Sequence, residues 1–161
     1  MNRLGDQGVG VLGAWALSNC PELSHLCLKG NGLEADGAGR LADVLSLGES
    51  NEGTGLSHLD LGYNRIGDEG ARSLSRVLVN CRMLSHLDLC HNAIGSEGME
   101  ILANVLAQCT ALSHLDLGYN HIGADGARMI AEALVHAAGT ESLGGVVAQT
   151  LSIKPCRSSR L

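Results

Sequence analysis

Apolar and polar residues alternate in four similar strings: LSHLCLKGNGL from Leu23, LSHLDLGYNRI from Leu56, LSHLDLCHNAI from Leu84 and LSHLDLGYNHI from Leu112. Their starting points lie 33, 28 and 28 residues apart. Self-similarity at a fixed period marks a repeat architecture, not chance. Inside each string the alternation has period two, which predicts a strand. Beyond the asparagine the spacing changes. Leu41, Val44 and Leu45 lie at i, i+3 and i+4, as do Leu74, Val77 and Leu78, then Leu102, Val105 and Leu106, then Ile130, Ala133 and Leu134. That is one face of a helix. Asp36, Asp68, Glu69, Glu97 and Asp125 fall where these helices open, at the positive end of the helix dipole. Each unit therefore predicts strand, turn and helix.

One such unit cannot bury its apolar stripe. Stacked units can, with a parallel sheet inside and helices outside. Asn31, Asn64, Asn92 and Asn120 stand near the end of each string. An amide side chain donates and accepts, so stacked asparagines can satisfy the backbone of the turn that leaves each strand. Cys20, Cys81 and Cys109 each precede the next string by three residues. A cysteine at a fixed register is expected to be a small buried apolar residue. Thiols of this kind stay reduced and point to an intracellular, cytoplasmic protein.

The unit LxxLDLxxNxIGxxGAxxLxxxLxxC resembles the ribonuclease-inhibitor-like class of leucine-rich repeats, over roughly residues 2–138. The class includes repeat regions of NOD-like receptors and the Ran GTPase-activating proteins. The resemblance implies an α/β fold, a right-handed horseshoe-shaped solenoid with an inner parallel sheet and outer helices. It implies protein binding without naming a partner, because one fold hosts many functions.

The pattern divides the chain into a leucine-rich-repeat domain, 1–138, and a segment 139–161. The domain comprises a partial repeat 1–22 and repeats 23–55, 56–83, 84–111 and 112–138. Asn2 and Leu4 align with Asn64 and Ile66, so the chain is expected to start inside a repeat of a longer protein. Ser46 to Gly55 reads as a longer polar loop on one edge. In register, Leu143 would align with Leu115, but Gly145 and Ala148 replace the next leucine and the asparagine. Residues 139–161 are thus either a degenerate cap using Leu143, Val146, Val147 and Leu151, or a disordered tail. Ser159-Arg160-Leu161 resembles the peroxisomal Ser-Lys-Leu address, a competing reading of the location.

Charge narrows the partners. The net charge is -6, and Lys29 and Lys154 are the lysines. Nucleic acid and anionic membrane both demand clustered basic residues, so neither is expected. No apolar run approaches the length of a membrane span. The GxGxxG match at Gly8–Gly13 lacks a strand before it and is rejected as a dinucleotide site. Trp15 aligns with Val77 and is expected in the core, or exposed where a repeat is missing.

The leucines of each strand point inward, so the residues between them face the concave surface. The columns are His25, His58, His86, His114; Cys27, Asp60, Asp88, Asp116; Lys29, Gly62, Cys90, Gly118; and Gly30, Tyr63, His91, Tyr119. Neighbouring strands are about 4.8 Å apart, so each column is a ladder. We select His58, Asp60, Tyr63, His86, Asp88, His91, His114, Asp116 and Tyr119 as a protein-binding face. Tyrosine suits interface centres, and a basic surface on the partner would complement the aspartates. Adjoining His and Asp columns could in principle hold a divalent ion, but no fixed ligand geometry is legible and no metal or cofactor is assigned. No catalytic residues are proposed. The expected function is protein recognition, as a regulatory or ligand-sensing repeat region. The alternatives are a GTPase-activating regulator resembling the Ran class and a non-catalytic scaffold.

Overall fold

The computed structural model of the chain describes residues 2–20, 22–46, 55–139 and 150–152. Helices and strands alternate in order: α1 (Gly5–Asn19), β1 (His25–Cys27), α2 (Ala35–Ser46), β2 (His58–Asp60), α3 (Gly67–Leu78), β3 (His86–Asp88), α4 (Ser96–Leu106), β4 (His114–Asp116), α5 (Gly123–Gly139) and β5 (Thr150–Ser152). The strands form one sheet in the order β1-β2-β3-β4-β5. All neighbours are parallel. Each helix packs on the helices of adjacent units, and each strand on adjacent strands. This is an α/β leucine-rich-repeat solenoid.

The register copies the sequence repeat. His25, His58, His86 and His114 pair in turn, as do Leu26, Leu59, Leu87 and Leu115, and Cys27, Asp60, Asp88 and Asp116. Leucine sends its side chain between sheet and helices. Leu59, Leu61, Leu87, Leu89 and Leu117 are buried there with Leu41, Leu74, Leu102 and Ile130 from the helices. Burying a leucine side chain contributes about 1.5–3 kcal/mol, so stacking supplies what no lone unit could.

The asparagines form a second ladder at the turns. Asn64 Oδ1 accepts from the amides of Asn31 and Leu33, at 3.0 and 3.1 Å, in the preceding unit. Asn120 Oδ1 does the same for Asn92 and Ile94. Their Nδ2 groups donate back to strand carbonyls, Asn64 to Leu28 and Leu61, and Asn120 to Leu89 and Leu117. Asn31 Oδ1 is buried without a hydrogen-bond partner among the described residues.

Three features depart from the sequence reading. Cys81 and Cys109 are buried, but Cys20 is exposed, because no element packs over that side of α1 among the described residues. Trp15 is 63% exposed on the same helix, the second of the two placements its register allowed. The fifth strand pairs Leu151 with Leu115, where simple register had placed Leu143. The acidic residues at the helix starts also do more than face their own dipole. Asp6 and Asp68 reach across to cap the helix of the following unit, Asp6 Oδ1 accepting from the Glu34 amide at 2.8 Å. Leu143, Val146, Val147, the loop residues 47–54 and Ser159-Arg160-Leu161 lie outside the described residues.

Candidate functional site

The sheet face away from the helices forms a groove of about 470 Å³. Its floor is the first three positions of β1 to β4, from His25 to Asp116. Six of the nine selected residues line this groove, His58, Asp60, His86, Asp88, His114 and Asp116, while Tyr63, His91 and Tyr119 form a separate ring stack.

The histidine column is a continuous stack. Ring centroids of His25 and His58 lie 3.9 Å apart, those of His58 and His86 4.0 Å, and those of His86 and His114 4.1 Å. Each Nδ1 lies 2.8 to 2.9 Å from the hydroxyl of the preceding serine, Ser24, Ser57, Ser85 or Ser113. The last three serine hydroxyls each donate to the serine carbonyl of the unit before. The repeated Leu-Ser-His spelling thus sets ring orientation. Partial desolvation and neighbouring imidazoles lower the pKa of both His58 and His86 from the ordinary 6.5. Near-parallel rings, tilted by 8 to 15°, set their Nε2 atoms side by side. A metal site needs convergent donors, so the stack is a poor chelator.

The aspartates are held in one orientation. Asp60, Asp88 and Asp116 each accept, through Oδ1, the amide two residues on, from Gly62, Cys90 and Gly118. That leaves Oδ2 for the groove. Lys29 Nζ lies 3.9 Å from Asp60 Oδ2 and 3.6 Å from Asp88 Oδ2, and 5.1 Å from the Tyr63 ring centre. Desolvation works against the Lys29 ammonium, but the Asp60 and Asp88 charges together raise its pKa. Cys27 donates its thiol to Asp60 Oδ2 at 3.5 Å. Asp116 Oδ2 has no such partner among the described residues.

Asp88, Cys90 and Asp116 place one donor atom each within 4.8 Å of one another. Burial first, and then the hydrogen bond and charge of Asp88, push the Cys90 thiol up to about 12. A thiol binds metal as thiolate, so this trio starts from its unfavourable protonation state. The sequence had set Cys90 on the open face. It is buried between the aspartates instead.

The second stack lies at the far end of the strands. Tyr63 and His91 rings are 4.3 Å apart, and His91 and Tyr119 rings 4.2 Å. All three residues have positive φ, 57, 52 and 59°. The same position in the first unit is Gly30, with φ 64°. The sequence reading missed the pairing of ring stacking with left-handed backbone, for which the glycine at Gly30 in the same column was the available signal.

Among the described residues no helix is long and apolar enough to cross a membrane. No curated protein sequence matches the chain. A solved structure titled "Leiomodin-1 Actin-Binding Site 2 (ABS2)" is similar, with a TM-score of 0.70 and 17% identity, covering 90% of this chain and 76% of that one. The profile described as "Leucine Rich repeat" matches residues 55–75, 80–103 and 108–131. These matches, with the fold, support a leucine-rich-repeat family for this chain.

Proposed function

We propose that the chain is a protein-recognition module whose concave face carries the binding site, in residues His58, Asp60, Tyr63, His86, Asp88, His91, His114, Asp116 and Tyr119. One observation carries this. Tyr63, His91 and Tyr119 hold a left-handed backbone that glycine fills in the first unit. That conformation costs a residue with a side chain about 1–2 kcal/mol. A ring kept there at such cost, stacked and facing outward, fits a contact surface better than a structural need. Tyr63 is 49% exposed. The 28-residue unit and the free thiols support a ribonuclease-inhibitor-like repeat region serving a regulatory or ligand-sensing role inside the cell. The actin-binding title of the structural neighbour makes actin a sensible first bait. At 17% identity the likeness carries the fold, not the partner.

The test is partner capture with folded wild type and a variant in which Asp60, Asp88, Asp116, Tyr63 and Tyr119 are all alanine. Circular dichroism establishes that both are folded. Partners retained only by wild type support the concave site. Partners shared equally by both proteins overturn it.

A further inference from the structure

The two columns of the groove floor present the same kind of atom. Ser57 Oγ lies 3.0 Å from the Ser24 carbonyl, and Ser85 and Ser113 Oγ lie 3.1 Å from the carbonyls of Ser57 and Ser85. A carbonyl oxygen only accepts, so each hydroxyl proton is committed to it. The same hydroxyl can then only accept from the imidazole. With the hydroxyls so oriented, His58, His86 and His114 would carry their proton on Nδ1 and leave Nε2 as an acceptor. None of these Nε2 atoms has a hydrogen-bond partner among the described residues. Beside them Asp60, Asp88 and Asp116 spend Oδ1 on backbone amides and offer Oδ2. The floor is therefore a double row of acceptors with few donors.

Such a surface repels an acidic partner and suits a cationic group that only donates. Arginine and lysine are permanently cationic, donor-only side chains. The chain already shows how one is held. Lys29 bridges Asp60 and Asp88 and lies over Tyr63. Asp116 continues the carboxylate column beyond the Lys29–Asp88 pair, and among the described residues it has no ion pair. Cys90 stands in register where Lys29 stands in the first unit.

Resting on the concave-site reading, we propose that the groove binds an extended arginine-bearing segment of a protein partner, seated on His86, Asp88, His114 and Asp116, and releases it on acidification. Protonated imidazoles would turn the acceptor row into a row of cationic donors and repel the guanidinium groups. The charged and titratable groups beside the row are His25, which stacks on His58, the three aspartates and Cys27 on the strands, and Lys29, buried Cys90, Tyr63, His91 and Tyr119 just beyond them. Across β4, strand β5 pairs Thr150 with His114 and Ser152 with Asp116, so it brings no ionisable residue into the pairing.

The probe is a blocked peptide of alternating arginine and serine, titrated against the full chain at pH 7.5 and 5.0. A citrulline version serves as the uncharged control. Long-range proton–nitrogen spectra of the imidazoles at pH 7.5 report the tautomers directly. We expect Nδ1–H at His58, His86 and His114, and peptide binding that citrulline abolishes. Affinity should fall about ten-fold or more at pH 5.0, the scale of one lost charge-assisted hydrogen bond. The double substitution His86→Phe and His114→Phe, which keeps the rings, should remove both that affinity and its pH dependence. Nε2–H tautomers, or binding indifferent to acid and to the phenylalanine pair, would overturn the proposal. If the peptide fails while the five-alanine variant still loses its captured partners, this inference falls and the concave site stands. If that variant keeps its partners, the concave reading falls as well.

Discussion

Asp68 Oδ1 accepts the amide of Gly98 at 3.0 Å, although the two residues belong to successive units. The same oxygen accepts the Gly95 amide at 2.7 Å. Gly95 is the residue before α4, and Gly98 stands in its first turn. No α4 side chain caps that end. One carboxylate thus satisfies two amides that a helix normally leaves open, and it does so from the neighbouring repeat. Asp68→Ala should cost about 1 kcal/mol in urea unfolding, the usual worth of such a cap. A Cβ on Gly98 would collide with the same carboxylate and lie 2.9 Å from the Asp68 backbone. Gly98→Ala should therefore cost more than Asp68→Ala. Equal midpoints for wild type and Gly98→Ala would remove the packing argument.

That relationship also shows what sequence could and could not carry. Periodicity gave strands, helices, columns and the leucine core, because each depends on residues in one unit copied at one spacing. Asp68 read as a residue beside its own helix dipole, since nothing in a one-dimensional pattern says which neighbour a side chain reaches. The burial of Cys90 depends on Gly62 beside it, whose missing side chain leaves the space: a Cβ there would stand 3.0 Å from the thiol. The exposure of Cys20 and Trp15 depends on what packs against α1, which no repeat pattern states. The acceptor row needed the serine carbonyl bonds, visible only once strands were in register.

The asparagine ladder should be costly to break. Asn92 is fully buried. It donates to the carbonyls of Leu61 and Cys90, at 2.9 and 3.1 Å, and accepts from Ile66 at 3.4 Å. Each buried group left without a partner costs about 1–3 kcal/mol, so Asn92→Ala should lose about 2 kcal/mol or more. Asn31→Ala should lose less, because its Oδ1 satisfies nothing. Urea midpoints of the two variants check this, and the reverse order would refute the ladder's energetic role.

Thiol reactivity should divide the cysteines. Cys20 and Cys27 are exposed. Burial pushes the Cys109 thiol up to about 11, with Cys81 adding to it, and Cys90 to about 12. Thiolate is the reactive form, so an alkylating reagent at pH 7.5 should label Cys20 and Cys27 first and leave Cys90 and Cys109 intact in the folded chain. Peptide mass spectrometry over time reads the order. Early labelling of Cys90 would mean that the groove floor opens.

Stability should follow the histidine stack. The folded chain lowers the pKa of His58 and His86, through desolvation first and then neighbouring imidazoles. The unfolded chain keeps an ordinary value of about 6.5. Between the two values the unfolded state binds more protons, so stability falls as pH drops through about 6.5 and on through the folded values. Above that window it should be flat. Urea midpoints at pH 7.5, 6.5 and 5.5 give the slope, and His58→Phe with His86→Phe should flatten it. An unchanged slope in that variant would assign the pH dependence to other groups.

Tyr63 offers the sharpest test of strain kept for recognition. Its φ of 57° suits glycine, and Gly30 fills the same place in the first unit. Tyr63→Ala and Tyr63→Gly remove the same contacts, the stack on His91 and the Lys29 ammonium over the ring. They differ mainly in how the backbone tolerates the left-handed region, where glycine carries no Cβ penalty. Tyr63→Gly should therefore be more stable than Tyr63→Ala by about 1 kcal/mol, the smaller end of the penalty for a side chain there. Both should lose partner binding alike, because neither keeps the ring. Glycine restoring stability without restoring binding would separate the two roles of this residue. Equal stability of the two variants would show that the turn exacts no cost, and the main support for a contact surface at this position would go with it.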